Sequence, residues 1–300
     1  MRSPLILAIT GLALAVPCLN TQAATILHGS DTVDIDFVDI GNLNNIGDTA
    51  NTVNGSNPGS VAYKYSIGKY EITADQWNTV RSADVNIGNV GTWSESQPTA
   101  SATWYEAAKF ANWLTSGDAL IGAYNFSDAT TFTGVDRTSA LNTYGTIYVL
   151  PTDDEWYKAA YFKNDGSGYT LYATGDSTPT AGSDTNYNSF STSPWDVGTG
   201  TVENNGTYDM GGNVAEWTES AYDGTLDSLS ENRTMRSGAW NVNVNGVKSS
   251  NRSSTNPVTT DNKNGFRIAS ITSIAVPEPS SAGLLAIGAL SCLVRRKRRY

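Results

Sequence analysis

The chain has 300 residues, with 19 Lys and Arg against 29 Asp and Glu, a net charge of −10, one histidine and two cysteines. Such an acidic surface repels nucleic acid and anionic membranes and suits divalent cations, and a Ser/His/Asp triad could use only His28. Cys18 and Cys292 lie near the ends, so no disulfide framework holds the middle, which must stand on a core of its own containing all eight Trp residues.

Residues 1–24, MRSPLILAITGLALAVPCLNTQAA, read as a secretory signal peptide. Arg2 is a short basic region, residues 5–16 are an apolar stretch too short to span a bilayer, and Ala23 and Ala24 suit signal peptidase. Residues 25–60 read as an N-terminal strand and loop, with His28 in a flexible leader. DTVDIDFVDI (31–40) alternates, which predicts a half-buried strand with Val33, Ile35 and Phe37 inward and Asp34 and Asp36 in solvent. An Asn- and Gly-rich loop follows, and VAYKYSIGKYEIT (61–73) predicts a strand, a turn at Gly68 and a second strand.

Three helix starts share one chemistry. Thr73 precedes Gln76, Thr103 precedes Glu106 and Thr152 precedes Glu155, each a capping box that satisfies orphan backbone donors. Ile72 and Trp77 are placed as a hydrophobic staple at the first. The second helix, about 104–115, puts Trp104, Ala107, Ala108, Ala111 and Leu114 on one face, with Glu106, Lys109 and Asn112 opposite. The third groups Trp156, Ala159 and Ala160. Beyond residue 164 the chain is rich in Gly, Asn, Ser and Thr without helical period, so one irregular α+β domain is expected over 61–275.

The last stretch, VPEPSSAGLLAIGALSCLVRRKRRY (276–300), joins Pro-Glu-Pro to an apolar run and a basic cluster at 295–299. The positive-inside rule holds that cluster in the cytoplasm while the body lies outside. The layout resembles the PEP-CTERM sorting signal, which implies an exosortase partner, transient membrane attachment and an exported, secreted or cell-surface protein. Without leader and tail, 13 basic residues face 28 acids, so the body carries a charge near −15.

Six segments occur in order over most of 61–270: GKYEITADQW (68–77), PTASATWYEAAKFANWL (98–114), LPTDDEWYKAAYF (150–162), YDMGGNVAEW (208–217), RSGAW (236–240) and NGFRIA (264–269). Together they resemble the sulfatase-modifying factor, or formylglycine-generating enzyme, family. That resemblance implies a C-type-lectin-like α+β fold with little regular secondary structure.

From spacing alone, residues 208–217 read as a tight turn whose glycines let carbonyls and two acids face a cation. The resemblance turns this into a calcium site with side-chain oxygens from Asp209 and Glu216 and carbonyls from Gly212 and Val214. It also suggests a second calcium site at the Asn186 side chain and Tyr187 carbonyl, for which an Asn-rich turn is the competing reading. The family's copper-binding cysteine pair has no counterpart in RSGAWNVNVNGVKSSNRSSTNP (236–257), where no Met or His replaces it. A copper site is therefore not expected.

Arg267, paired with Glu155 or another acid, is expected to be structural; Arg252 either does the same or faces a ligand groove. Trp240, Asn241 and Arg252 form the candidate groove for a peptide or polysaccharide. The expected function is a calcium-stabilised, non-catalytic binding or structural module. The alternative is a metal-dependent enzyme with non-thiol chemistry, with formylglycine generation behind it.

Overall fold

The alternation at 31–40 forms a strand, β2 (Asp31–Ile40), that buries Val33, Ile35 and Phe37 and leaves Asp34 exposed. The computed structural model describes residues 21–88 and 93–273; the sorting tail and the first 20 residues of the expected leader lie outside them. β2 is flanked by β1 (Thr21–His28) and β3 (Tyr65–Gly68), both antiparallel. The strand β11 (Ala269–Thr272) joins β3 to β6 (Thr146–Val149), giving the order β1-β2-β3-β11-β6. Early and late strands thus share one sheet, and residues 25–60 are continuous with the rest of the body.

All three capping boxes form, opening α1 (Ala74–Ala83), α2 (Trp104–Ser116) and α4 (Asp153–Tyr161). The apolar face of α2 enters the core, where Trp77 stacks on Phe110 at 5.6 Å and both rings meet Phe266 edge-on. Such pairs add about 0.5–1.5 kcal/mol each beyond their buried area. A second sheet, in the order β10-β7-β8-β9, is built from β7 (Ala215–Ala221), β8 (Arg233–Arg236), β9 (Ser253–Thr255) and β10 (Asn264–Gly265). A small hairpin, β4 (Tyr124–Phe126) with β5 (Phe132–Val135), stands apart.

Several expectations are corrected. No hairpin forms at Gly68: after it, Lys69 N–H donates to Asp36 O and Ile72 N–H to Phe266 O, and the chain goes straight into the Thr73 cap. His28 is not in a flexible leader; it lies on β1, edge-on to Trp113 at 4.9 Å. Lys109 and Asn112, placed in solvent by the helical wheel, are buried. Asn112 Nδ2 donates to Ala119 O and Tyr124 O, so the far side of α2 is covered by the loop that follows it. The short helix α3 (Arg137–Tyr144) was not foreseen because its Asp136 cap lacks the Glu or Gln partner of a capping box.

Candidate metal centre

The turn before β7 is held open by positive φ at Asp209 (61°), Gly212 (103°) and Asn213 (58°). Neighbouring loop segments fix it. Gly212 N–H donates to Ser237 O at 2.9 Å, Asn213 N–H to Asn186 O at 2.8 Å, and Trp240 N–H to Asn213 O at 2.9 Å. The turn, Asn186 and Trp240 are therefore neighbours, although they lie far apart in sequence.

Four fully or nearly buried carboxylates surround this turn. Glu216 receives Arg267 through both oxygens at 2.7 Å, and its Oε2 also accepts from Trp156 Nε1 at 2.7 Å. Asp209 accepts from Trp195 Nε1 and Gly198 N–H, both at 2.8 Å. Glu71 accepts from Asn213 Nδ2 at 2.8 Å and Val214 N–H at 3.2 Å. Glu203 accepts from Thr207 Oγ1 and Met210 N–H, both at 2.9 Å. One guanidinium, Arg267, faces all four. Burial pushes Glu71 well above the usual carboxylate range, with Asp209 and Glu216 adding to it. Burial also raises Asp209, and it carries Glu203 up to about 8.

A raised carboxylate inverts the usual pH dependence. Folded Glu203 keeps a proton that the unfolded chain releases near its ordinary value. Its contribution is thus full at acid pH and lost as pH rises through about 8. Glu203→Gln is expected to abolish that alkaline loss, worth on the order of a few kcal/mol. Urea unfolding at pH 6 and pH 8.5 checks it: a variant with the wild-type difference between the two pH values refutes it.

The donors around the turn are oxygens, and their remaining capacity suits a hard cation. A carboxylate has about four acceptor positions; the hydrogen bonds above fill three at Glu216 and two at Asp209. Asn186 carries the clearest signal. Its Nδ2 donates to Asn213 Oδ1 and Ser193 O, yet its Oδ1 is buried with no hydrogen-bond partner. Among the described residues no three His, Cys, Asp or Glu side chains are grouped to hold a metal, so amide and carbonyl oxygens would have to complete any set. Val214 is fully buried behind the turn. Tyr187 is buried with Tyr172 and Val247, and its hydroxyl donates to Pro179 O.

The expected groove comes apart. Trp240 sits beside the turn with its Nε1 buried and unpartnered, and Asn241 is exposed next to it. Arg252 instead pairs with Asp153 at 2.7 Å, packs on Tyr222, and lines a separate cavity of about 480 Å³ with Asp154, Glu219 and Asp223. Arg267 is structural as expected, but its partner is Glu216; Glu155 pairs with Arg137. Sequence reasoning missed Glu71 and Glu203. The one signal in the sequence is the acid of KYEIT (69–73), a segment whose pattern predicts a strand.

The short strands, extensive coil and two curled sheets define a C-type-lectin-like α+β fold. Residues 32–271 match the sulfatase-modifying factor enzyme 1-like domain, and the chain belongs to that family. Residues 275–299 match the PEP-CTERM protein-sorting motif, which marks an exported, surface-directed protein processed by an exosortase. Similar solved structures include Treponema denticola variable protein 1 (TM-score 0.62, 22% identity, covering 85% of this chain and 99% of that one) and CarF (0.59, 22%, 78% and 97%). PvdO from Pseudomonas aeruginosa is also similar (0.56, 17%, 83% and 97%). A curated relative, the chaperone protein LppX of Paenibacillus barcinonensis, is 28% identical over 205 residues, covering 60% of this chain and 71% of LppX.

Proposed function

We propose that this protein is a calcium-stabilised, non-catalytic binding or structural module of the cell surface or extracellular matrix. The crowding of buried acids carries the reading: four carboxyl groups share one guanidinium, beside an amide oxygen with no partner. Ionising these acids together without a counter-ion costs several kcal/mol, and a divalent cation would displace their protons and offset that cost. Asp209, Gly212, Val214 and Glu216 would hold one ion, with Asn186 and Tyr187 serving a second. Bound calcium would supply charge neutralisation and a rigid turn. The segment 236–257 contains no cysteine, which removes the family's thiolate chemistry, and Trp240 with Asn241 offers an aromatic and amide surface for peptide or polysaccharide.

The acid-lined cavity beside Arg252 favours the alternative, a metal-dependent enzyme. Against it, Asp153 is tied to Arg236 and Arg252, and Glu219 to Arg137. Calcium titration of chelator-treated protein by calorimetry separates the readings. Binding should be seen, and Asn186→Ala should weaken it by at least about tenfold, roughly 1.4 kcal/mol. No calcium binding, or turnover of a sulfatase-derived cysteine peptide, would refute the proposal.

A further inference from the structure

A cavity of about 1200 Å³ lies beside α3 at one end of the five-stranded sheet. It opens because the two ladders of β11 end at different points. On the β6 side pairing continues from Ala269↔Val149 to Thr272↔Thr146, but on the β3 side it stops at Ser270↔Ser66. β3 and β11 therefore part beyond this pair, and the space between them is the cavity. Its walls are largely apolar. Ile40 and Ile147 are buried there, Leu141 and Ile271 are half-buried, and Leu43 and Tyr63 are exposed.

The charges here run against those of the whole chain, which is net −10. Lys64 and Arg137 line the cavity with Asp39 as the acid among the described residues. Arg137 is already committed, since its donors go to Glu155, Glu219 and Leu150 O. Asp39 accepts from Ser66 Oγ at 2.7 Å. Lys64 is exposed and takes part in no ion pair among the described residues. The cavity thus joins an apolar wall to a free ammonium. Ser273 also lines it, and the sorting motif is matched from residue 275. The apolar run of that motif begins at Ala282, nine residues after Ser273, within about 32 Å of extended chain. Membrane lipid is the apolar material that lies within such a reach.

We propose that this cavity binds a single fatty-acyl chain whose carboxylate head rests on Lys64. The chain lies along Leu43, Tyr63, Leu141 and Ile271 and covers apolar surface that now meets water. A volume above the roughly 300–1,000 Å³ usual for small-molecule sites suits a long ligand. Burial of methylenes supplies the affinity, and the charge-assisted contact with the ammonium fixes which end enters. The site shares no residue with the calcium centre, so the two readings stand or fall separately.

Calorimetric titration of the full chain with octanoate, decanoate and dodecanoate, each below micelle formation, tests this. Each two added methylenes should tighten binding on the order of tenfold. Lys64→Glu should weaken dodecanoate by about tenfold or more and leave dodecanol unchanged. Thr138 is exposed on α3 at the cavity wall, so Thr138→Trp should block all three acids without altering the melting temperature. Should that variant fold poorly, the exposed Lys64→Glu carries the test alone. Absence of binding, or affinity that ignores chain length, overturns the proposal. So does equal loss of dodecanoate and dodecanol in Lys64→Glu. Binding that survives Thr138→Trp in folded protein places the acid elsewhere, on the apolar tail for instance, and overturns it too.

Discussion

Arg267→Ala is expected to destabilise the protein by about 3–5 kcal/mol, the range for removing one partner of a buried ion pair. Arg267 and Glu216 are both fully buried and share two 2.7 Å hydrogen bonds. Arg267 also ties down distant segments, with Nη1 donating to Gly68 O and Nη2 to Tyr208 O. Its removal leaves Glu216, among the described residues, with only the Trp156 hydrogen bond, and takes away the guanidinium that faces Glu71 and Glu203. Arg267→Lys should recover only part of the loss, because an ammonium cannot reproduce the planar two-point contact. Urea unfolding midpoints decide it: a loss below about 1 kcal/mol for the alanine variant would show that the bridge is not the anchor of this turn.

Gly212→Ala should cost on the order of 3 kcal/mol, while Gly211→Ala one position earlier should cost less than about 1 kcal/mol. Gly212 has φ of +103°, and an added Cβ would lie 2.3 Å from the Asn186 carbonyl oxygen, a backbone atom that also accepts from Asn213 N–H. Gly211 needs no positive φ, and the nearest atom to its Cβ would be 3.8 Å away. The adjacent glycines look alike in sequence, so thermal melts of the two variants isolate the contact between the turn and Asn186. Equal effects would show that this close approach is not what demands glycine.

Local signals in the sequence were legible. Each capping box lies within four residues, and the 31–40 strand announces itself by period two, so both survive without knowledge of the fold. Pairings across the chain were not. Nothing near Glu216 indicates that Arg267, 51 residues on, is its partner, or that Glu155 takes Arg137 instead. Asn112 looks like a solvent residue because its burial comes from a loop that folds back to use both ends of its amide. Trp240 and Arg252 are both candidates for the groove in the sequence, whereas Arg252, just before β9, pairs with Asp153 and Trp240 stays with the turn. Family motifs singled out the turn at 208–217, but two of the four buried acids around it, Glu71 and Glu203, come from other segments.

Metal content by mass spectrometry, paired with melting temperature before and after chelation, tests the central claim most directly. One or two equivalents of calcium should be found. At a calcium level 100 times the dissociation constant, binding adds about 2.7 kcal/mol, so chelation should lower the melting temperature by roughly 5–10 °C for a body of this size. Metal-free protein whose melting temperature ignores chelator would contradict the account. So would copper or iron at stoichiometric level.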